Sequence, residues 1–387
     1  MGFSFSVNLL SFALLCGISF SHSLKDGGKH WALLVAGSNG FENYRHQADV
    51  CHAYHVLKDH GFPEENIIVM MYDDIAYNTE NKDKGVIINR PNGENVYPGV
   101  KIDYKGKDVT PEVFLNVLQG KKEQRGSKRV IDSGPNDHIF VNFVDHGAPG
   151  LVAFPDDSLH ARELMTALKK MHKKKSYACY LDKHLDTYLG DLYSVNWMEN
   201  SDVANLKKET LLNQFDIVRK NTNKSHVMEY GDMDIASEPV SDFQGDTPSA
   251  RNVYYPALPF DAVPSHDVDL HILRHKIQSS TIEEEKSNLS RQLDYKFKVR
   301  SEIASQMHKI AAAAVGHDSG LFSEAISIRT EDINFDCYEP AVKYYSAMCR
   351  NINQVPFALR VLYILQNVCN IQGMSSEILI RAMDDIC

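Results

Sequence analysis

Ile139, Phe140, Val141, Asn142, Phe143 and Val144 run directly into Asp145, His146, Gly147, Ala148, Pro149 and Gly150, and the reading of this stretch decides the fold. The first six residues read as a short buried β-strand, which the Gly and Pro that follow break at once. A histidine is thereby displayed at the carboxyl end of a strand, where parallel α/β sheets place their sites. Gly147 lets the backbone approach a ligand closely, and Pro149 ends the ladder. An imidazole in this place suits general-base work, which requires a nucleophile. No apolar strand ending in cysteine follows.

The pattern extends on both sides. Trp31 to Gly37 reads as an apolar strand, with Ser38, Asn39 and Gly40 turning the chain. Gln47 to His60 reads as an amphipathic helix stopped at Gly61, and Ile67 to Met71 as a second strand. Asp73 to Asp108 is polar, with several Asn, Gly and Pro, and reads as a long surface loop; such loops in compact domains are often functional. Thr110, Pro111 and Glu112 open a helix through Leu118 by cap and first-turn chemistry. After His146 the sequence predicts a hairpin around Leu151 to Phe154, then a helix opened by Asp157 and Ser158 and running to about Lys170. Strand and helix alternate as in a parallel sheet with crossover helices.

At Met171 to Lys175 this alternation stops. Where another strand is due, the basic run Lys173, Lys174, Lys175 leads straight into Ser176, Tyr177, Ala178 and Cys179; the lysines read as a solvated helix terminus favoured by the dipole. Val203 to Lys220 reads as a helix. Ser237 to Asp267 has the composition of a linker or cleavable connection. From Leu270 onward the chain is helix-patterned, with long apolar periodicity over Ser287 to Val315 and a cysteine-bearing end that resembles a stapled bundle.

Composition narrows the function classes. The 387 residues are 43% hydrophobic and 24% charged, with a formal net charge of -10, so a diffuse basic surface for nucleic acid is excluded, and no Cys/His cluster has zinc-ligand spacing. No cofactor, metal or nucleic-acid partner is expected. The apolar run Leu9 to Ile18, followed by Ser19 to Ser23, reads as a signal peptide over residues 1–23; it is too short to span a bilayer, and no later segment is long and apolar enough. Without Cys16 the cysteines are Cys51, Cys179, Cys337, Cys349, Cys369 and Cys387. An oxidising compartment makes two bridges among the last four the expectation, with three connectivities open. Asn223 and Asn288 head glycosylation sequons.

Three further residues suit recognition of a polar substrate: Arg45 and His46, shortly after the first strand, and Asp191. A guanidinium donates to a carboxamide oxygen while a carboxylate accepts from its nitrogen; a solvated surface role is the plainer reading of either residue. At this point long motifs match a known family. Gly37 to Ala53 with Asn43, Tyr44, Arg45 and His46; Val144 to Pro155 with the His-Gly pair; Ser176 to Met198; and Thr222 to Gly231 with Ser225, His226, Val227 and Met228 resemble the legumains. These are the asparaginyl endopeptidases of lysosomes and vacuoles, called hemoglobinases in blood-feeding parasites.

The resemblance covers Trp31 to the carboxyl terminus. It implies an α/β fold, a caspase-like sandwich with a mostly parallel sheet, plus an all-α, disulfide-stapled carboxyl-terminal prodomain that covers the active site until acid loosens it. It implies His146 as the catalytic histidine, Asn43 as its support and the Gly147 N–H in the oxyanion hole. Arg45, His46, Ser176 and Asp191 would line the pocket for the substrate asparagine, with Asp145 the family's aspartate beside the histidine. It also implies bridges Cys337 to Cys369 and Cys349 to Cys387, peptide substrates bearing Asn, the chain's own prodomain as intramolecular inhibitor, and a lysosomal, vacuolar or secreted location. The expected division is a peptidase domain over 24–236, an activation linker over 237–268 and the helical prodomain over 269–387.

One departure from the family stands out. Legumains carry, before the motif matching Ser176, a strand ending in Glu-Ala-Cys-Glu-Ser-Gly-Ser and then a further strand. Between residues 170 and 176 this chain lacks that segment, a loss of roughly forty residues or fewer, enough for one or two strands. The nucleophilic cysteine goes with it. Cys51, on the apolar face of a helix, reads as a buried free thiol, and the family counterpart of Cys179 is not the nucleophile. Three functions therefore compete: an asparagine-specific cysteine endopeptidase zymogen, a catalytically inactive isoform, and a decoy that captures peptides through Arg45 and Asp191.

Overall fold

The computed structural model describes residues 28–134, 136–168, 177–224, 227–228, 233–248, 255, 261–327, 329–330 and 332–387. The signal-peptide stretch, Lys173 to Lys175 and Ser176 lie outside them. The centre is a parallel three-stranded sheet in the order β2–β1–β3, built from β1 (His30–Ala36), β2 (Ile67–Met70) and β3 (His138–Val144). β1 pairs with β2 in the register Leu34 opposite Val69, and with β3 in the register Val35 opposite Phe143. Strand alternation sends Ala32, Leu34, Ala36, Ile67 and Val69 to one face and Leu33, Val35, Ile68 and Met70 to the other. Helix α1 (Tyr44–Asp59) covers the first face with Cys51, Tyr54 and Leu57, and α2 (Pro111–Leu118) covers the second with Val113, Phe114 and Val117. The result is an α/β/α sandwich.

β3 differs from β1. All but one residue of β1 is buried, whereas five of the seven in β3 are half-exposed. Among the described residues no strand pairs with its outer edge; His138 stacks there on Phe243 and donates from Nδ1 to the Asp242 carbonyl at 2.9 Å.

Beyond His146 an antiparallel ribbon forms from β4 (Gly147–Ala148), β5 (Leu151–Ala153) and β6 (Ser158–His160), before α3 (Ala161–Leu168). This corrects the helix expected from Asp157. The Asp157 carbonyl accepts from Phe154 N–H at 2.8 Å and its carboxylate from Ser158 N–H at 2.7 Å, so the cap-like pair serves a hairpin turn instead, as Asx chemistry equally allows. A hairpin of β7 (Tyr177–Asp182) and β8 (Thr187–Asp191) follows, with β8 fully buried against α1. The helix expected over Val203 to Lys220 begins only at Leu211, as α5 (Leu211–Asn221), because Val203 ends a preceding helix, α4 (Leu192–Val203). A turn at Asn205, whose carbonyl accepts from Lys208 and Glu209, separates them, and Thr210 caps α5 by accepting from Asn213 N–H. α6 (Ser241–Gln244) and the two-residue β9 (Val263–Pro264), paired to β7, complete this part.

The remainder is helical: α7 (Val268–Ser279), α8 (Glu283–Ala314), α9 (Ser319–Ala325), α10 (Phe335–Tyr344), α11 (Pro356–Val361), α12 (Tyr363–Asn370) and α13 (Ser376–Asp384). Ile303, Met307, Ile310 and Ala314 recur at helical spacing along α8 and bury against the shorter helices. Disulfides join Cys337 to Cys369 and Cys349 to Cys387, the same two pairs the resemblance implies. Ala148, Leu151 and Ala153 of the ribbon belong to this helical core, so the helices rest on the backbone that follows His146.

Candidate active site

Three elements meet at His146. The end of β3 supplies Asp145 and His146, the start of α1 supplies Asn43, Arg45 and His46, and the end of β8 supplies Asp191. The Nε2 of His146 donates to Asn43 Oδ1 at 2.9 Å, and Asn43 is itself held by its Nδ2 on the Asn39 carbonyl at 2.9 Å. Nδ1 of His146 is thereby left as the available basic nitrogen. Burial, then the Arg45 charge, then His266 lower the His146 pKa to about 3, so the ring is neutral. Asp145 is buried, its Oδ1 accepts from the His146 backbone N–H at 2.6 Å, and burial holds its carboxyl well above the usual carboxylate range.

Arg45 and Asp191 form a buried pair, Nε to Oδ1 at 3.1 Å, with side chains 0% and 2% exposed. His46 lies between them and His146: its Nδ1 shares a hydrogen bond with Ser38 Oγ at 2.6 Å, and its Nε2 is 3.3 Å from Asp191 Oδ2. Burial, Arg45 and His146 keep His46 neutral by lowering its pKa well below the ordinary value. The site thus brings together Asn43, Arg45, His46, Asp145, His146 and Asp191; Gly147 is exposed on β4, facing Val152. Asn223 is exposed at the end of α5, and Asn288 is exposed on α8.

Several site residues escaped the sequence reading. Asp49, one turn past Arg45, accepts from Asp191 N–H at 3.1 Å and from Asn89 Nδ2 at 2.7 Å. Burial first and the Asp191 charge second push its carboxyl well up. Asn89 comes from the long polar loop, the one signal that could have pointed to it. Gly37 is required by close approach: a Cβ there would lie 2.6 Å from Asp145 Oδ2 and 2.7 Å from the Ala153 carbonyl. Cys51 is buried, with its thiol 3.9 Å from Met71 Sδ and pushed up by burial; the Cys179 side chain is outside the described residues.

A cavity of about 510 Å³ opens in front of Asn43 and His146. Its far wall is the helical region: Ser265, His266, Lys296, Arg300 and Phe357. Lys296 bridges Glu42 at 3.4 Å and Asp269 at 2.9 Å, while Arg300 grips Asp267 at 2.7 Å and Asp269 at 2.6 Å. The carboxyl-terminal helices therefore cover the face on which the histidine opens.

Comparison with known proteins agrees with this geometry. Residues 30–178 and 173–246 match the Peptidase C13 family, and residues 291–387 match the legumain prodomain. The chain is 42% identical to mouse legumain over 408 aligned positions, covering 94% of this chain and 93% of the relative. It is 39% identical to human legumain over 423 positions, with 98% and 97% covered. Against the hemoglobinase of Schistosoma japonicum it is 37% identical over 427 positions, with 99% of each covered. A cysteine-peptidase sandwich under a stapled helical prodomain, matched in both parts, makes this chain a member of the peptidase C13, or legumain, family.

Proposed function

We propose that this chain is a legumain-family precursor that keeps the asparagine-reading pocket and the covering prodomain but does not hydrolyse peptides. The observation that carries the reading is the His146 site: an oriented, neutral imidazole with Asn43 behind it, and no cysteine thiol beside it among the described side chains. Two further facts support it. The family match breaks between residues 173 and 178, where the sequence lacks its strand. Each alignment is longer than the 387-residue chain, so the relatives carry positions that this chain does not.

In this reading His146 is the base position, Asn43 its orienting partner, and Gly147 N–H the oxyanion donor. Arg45, His46, Asp145, Ser176 and Asp191 are the substrate pocket. Residues 24–236 form the peptidase part, 237–268 the linker and 269–387 the prodomain, made behind a signal peptide in the secretory pathway. The paired cysteines fit that compartment. Loss of the thiol removes the covalent route, and with it most of the rate acceleration. Full-length chain, acid-treated to release the helices, should give no turnover of a fluorogenic Asn-peptide; robust cleavage abolished by thiol alkylation would overturn the reading.

A second reading, capture of Asn-bearing peptides without cleavage, is favoured by one atom. Arg45 Nη2 is buried with no hydrogen-bond partner among the described residues, which leaves a charged donor for a carboxamide oxygen. Saturable binding of an Asn-peptide, lost in Arg45→Ala, is the expected result; equal binding of an Ala-peptide would sink it.

A further inference from the structure

We propose that His46, Asp145 and His146 form a binding site for one divalent cation of the zinc class. One potential ligand atom from each converges so that all three lie within 4.8 Å of one another. Zinc takes imidazole nitrogen and carboxylate oxygen at about 2.0–2.2 Å, so two of its ligand atoms sit roughly 3.3–3.5 Å apart, and His46 Nδ1 and Asp145 Oδ1 are already 3.4 Å apart. Two imidazoles and a carboxylate suit zinc or cobalt and disfavour magnesium and calcium, which want oxygen.

The surroundings have the features of a ligand set. A ligating histidine normally has its other nitrogen tied by a hydrogen bond that fixes ring and tautomer. Nε2 of His146 is held by Asn43 Oδ1 at 2.9 Å, and Nε2 of His46 faces Asp191 Oδ2 at 3.3 Å, which leaves His46 Nδ1, bonded to Ser38 Oγ at 2.6 Å, to exchange that hydroxyl for the metal. Asp145 Oδ2 is buried and makes no hydrogen bond among the described residues. The nearby Arg45 charge is already matched by Asp191 at 3.1 Å. His146 borders the 510 Å³ cavity, which offers an entry path and room for a water as a further ligand. Spacing could not reveal this site, because its donors come from α1 and the distant end of β3.

The test uses untagged full-length chain dialysed against chelator, titrated with Zn²⁺ by calorimetry and with Co²⁺ by visible absorbance. One zinc per chain is expected, with the d–d bands of four- or five-coordinate cobalt. His146→Ala should abolish both signals, and Asn43→Ala should weaken binding by roughly 10–100-fold as loss of an orienting partner does. His160→Ala, a buried histidine elsewhere, should leave binding unchanged. Should His146→Ala fail to fold by circular dichroism, His146→Asn keeps a polar side chain of similar reach and takes its place. No stoichiometric binding, or binding that survives loss of the His146 imidazole, overturns the proposal. No peptide is present, so the outcome stands apart from whether the pocket captures or cleaves Asn-peptides.

Discussion

Asp191→Asn is the sharpest perturbation of the pocket. Its carboxylate is the buried counter-charge of Arg45, which is 0% exposed at an Nε–Oδ1 distance of 3.1 Å. Removing one partner of such a pair leaves an uncompensated charge in a low-dielectric interior and costs about 3–5 kcal/mol. The structure sets where in that range the variant falls. Burial and the Asp191 charge push the Asp49 carboxyl well up; with that neighbour neutral, Asp49 ionises more readily and partly replaces it. Asp191→Asn alone should therefore cost about 3 kcal/mol, and Asp49→Asn combined with Asp191→Asn should approach 5. For a domain of this size 1 kcal/mol moves the melting temperature by about 2–4 °C, so the single variant should melt roughly 6–12 °C lower. The assay is thermal unfolding followed by circular dichroism, with a denaturant titration checking that the m-value is unchanged. A loss under about 1 kcal/mol, or a double variant no worse than the single, would refute a buried Arg45–Asp191 pair backed by Asp49.

Gly37→Ala should destabilise by about 1–3 kcal/mol, because its Cβ would enter within 2.6 Å of Asp145 Oδ2 and 2.7 Å of a backbone oxygen; urea titration measures it. Replacing Cys349 and Cys387 by serine opens a bridge of separation 38 and should cost about 2–4 kcal/mol in the helical region, seen as earlier proteolysis there while α1 amides keep their hydrogen-exchange protection. Glu64, which accepts from Lys101, Tyr54 and Lys58, has its pKa lowered to about 2. A depressed carboxyl stabilises above its ordinary value of 4.5 and loses that contribution as pH falls toward 2. At 26% exposure, solvent screening reduces the effect to about 1 kcal/mol. Glu64→Gln should thus be less stable than the parent at pH 7 and match it near pH 2.

Much of the site's framework was legible in the chain. The β3 stretch ending in Asp145 and His146, the buried strand Ile67 to Met70 and the Thr110 cap, which accepts from Val113 N–H at 3.2 Å, follow from local apolar periodicity and turn chemistry. Where two structures share one local signal, the chain alone misled: Asp157 and Ser158 can cap a helix or close a hairpin, and pairing with β5 selected the hairpin. The late start of α5 was missed for a similar reason, since apolar spacing continues through a turn made by Asn205.

By itself the sequence determined the family, the alternation of the sheet and the identity of the chemical groups, because these are written in spacing and motif. Only the tertiary structure decided what those groups face. Asp49 and Asn89 stand behind Asp191, Ser38 holds His46, Gly37 gives way to Asp145, and the helices close over His146, all through contacts between segments far apart in the chain. Titration is set there as well: burial is a property of the packed site, and it lowers the pKa of His46 and His146 and raises that of Asp145 and Asp49 around one ion pair.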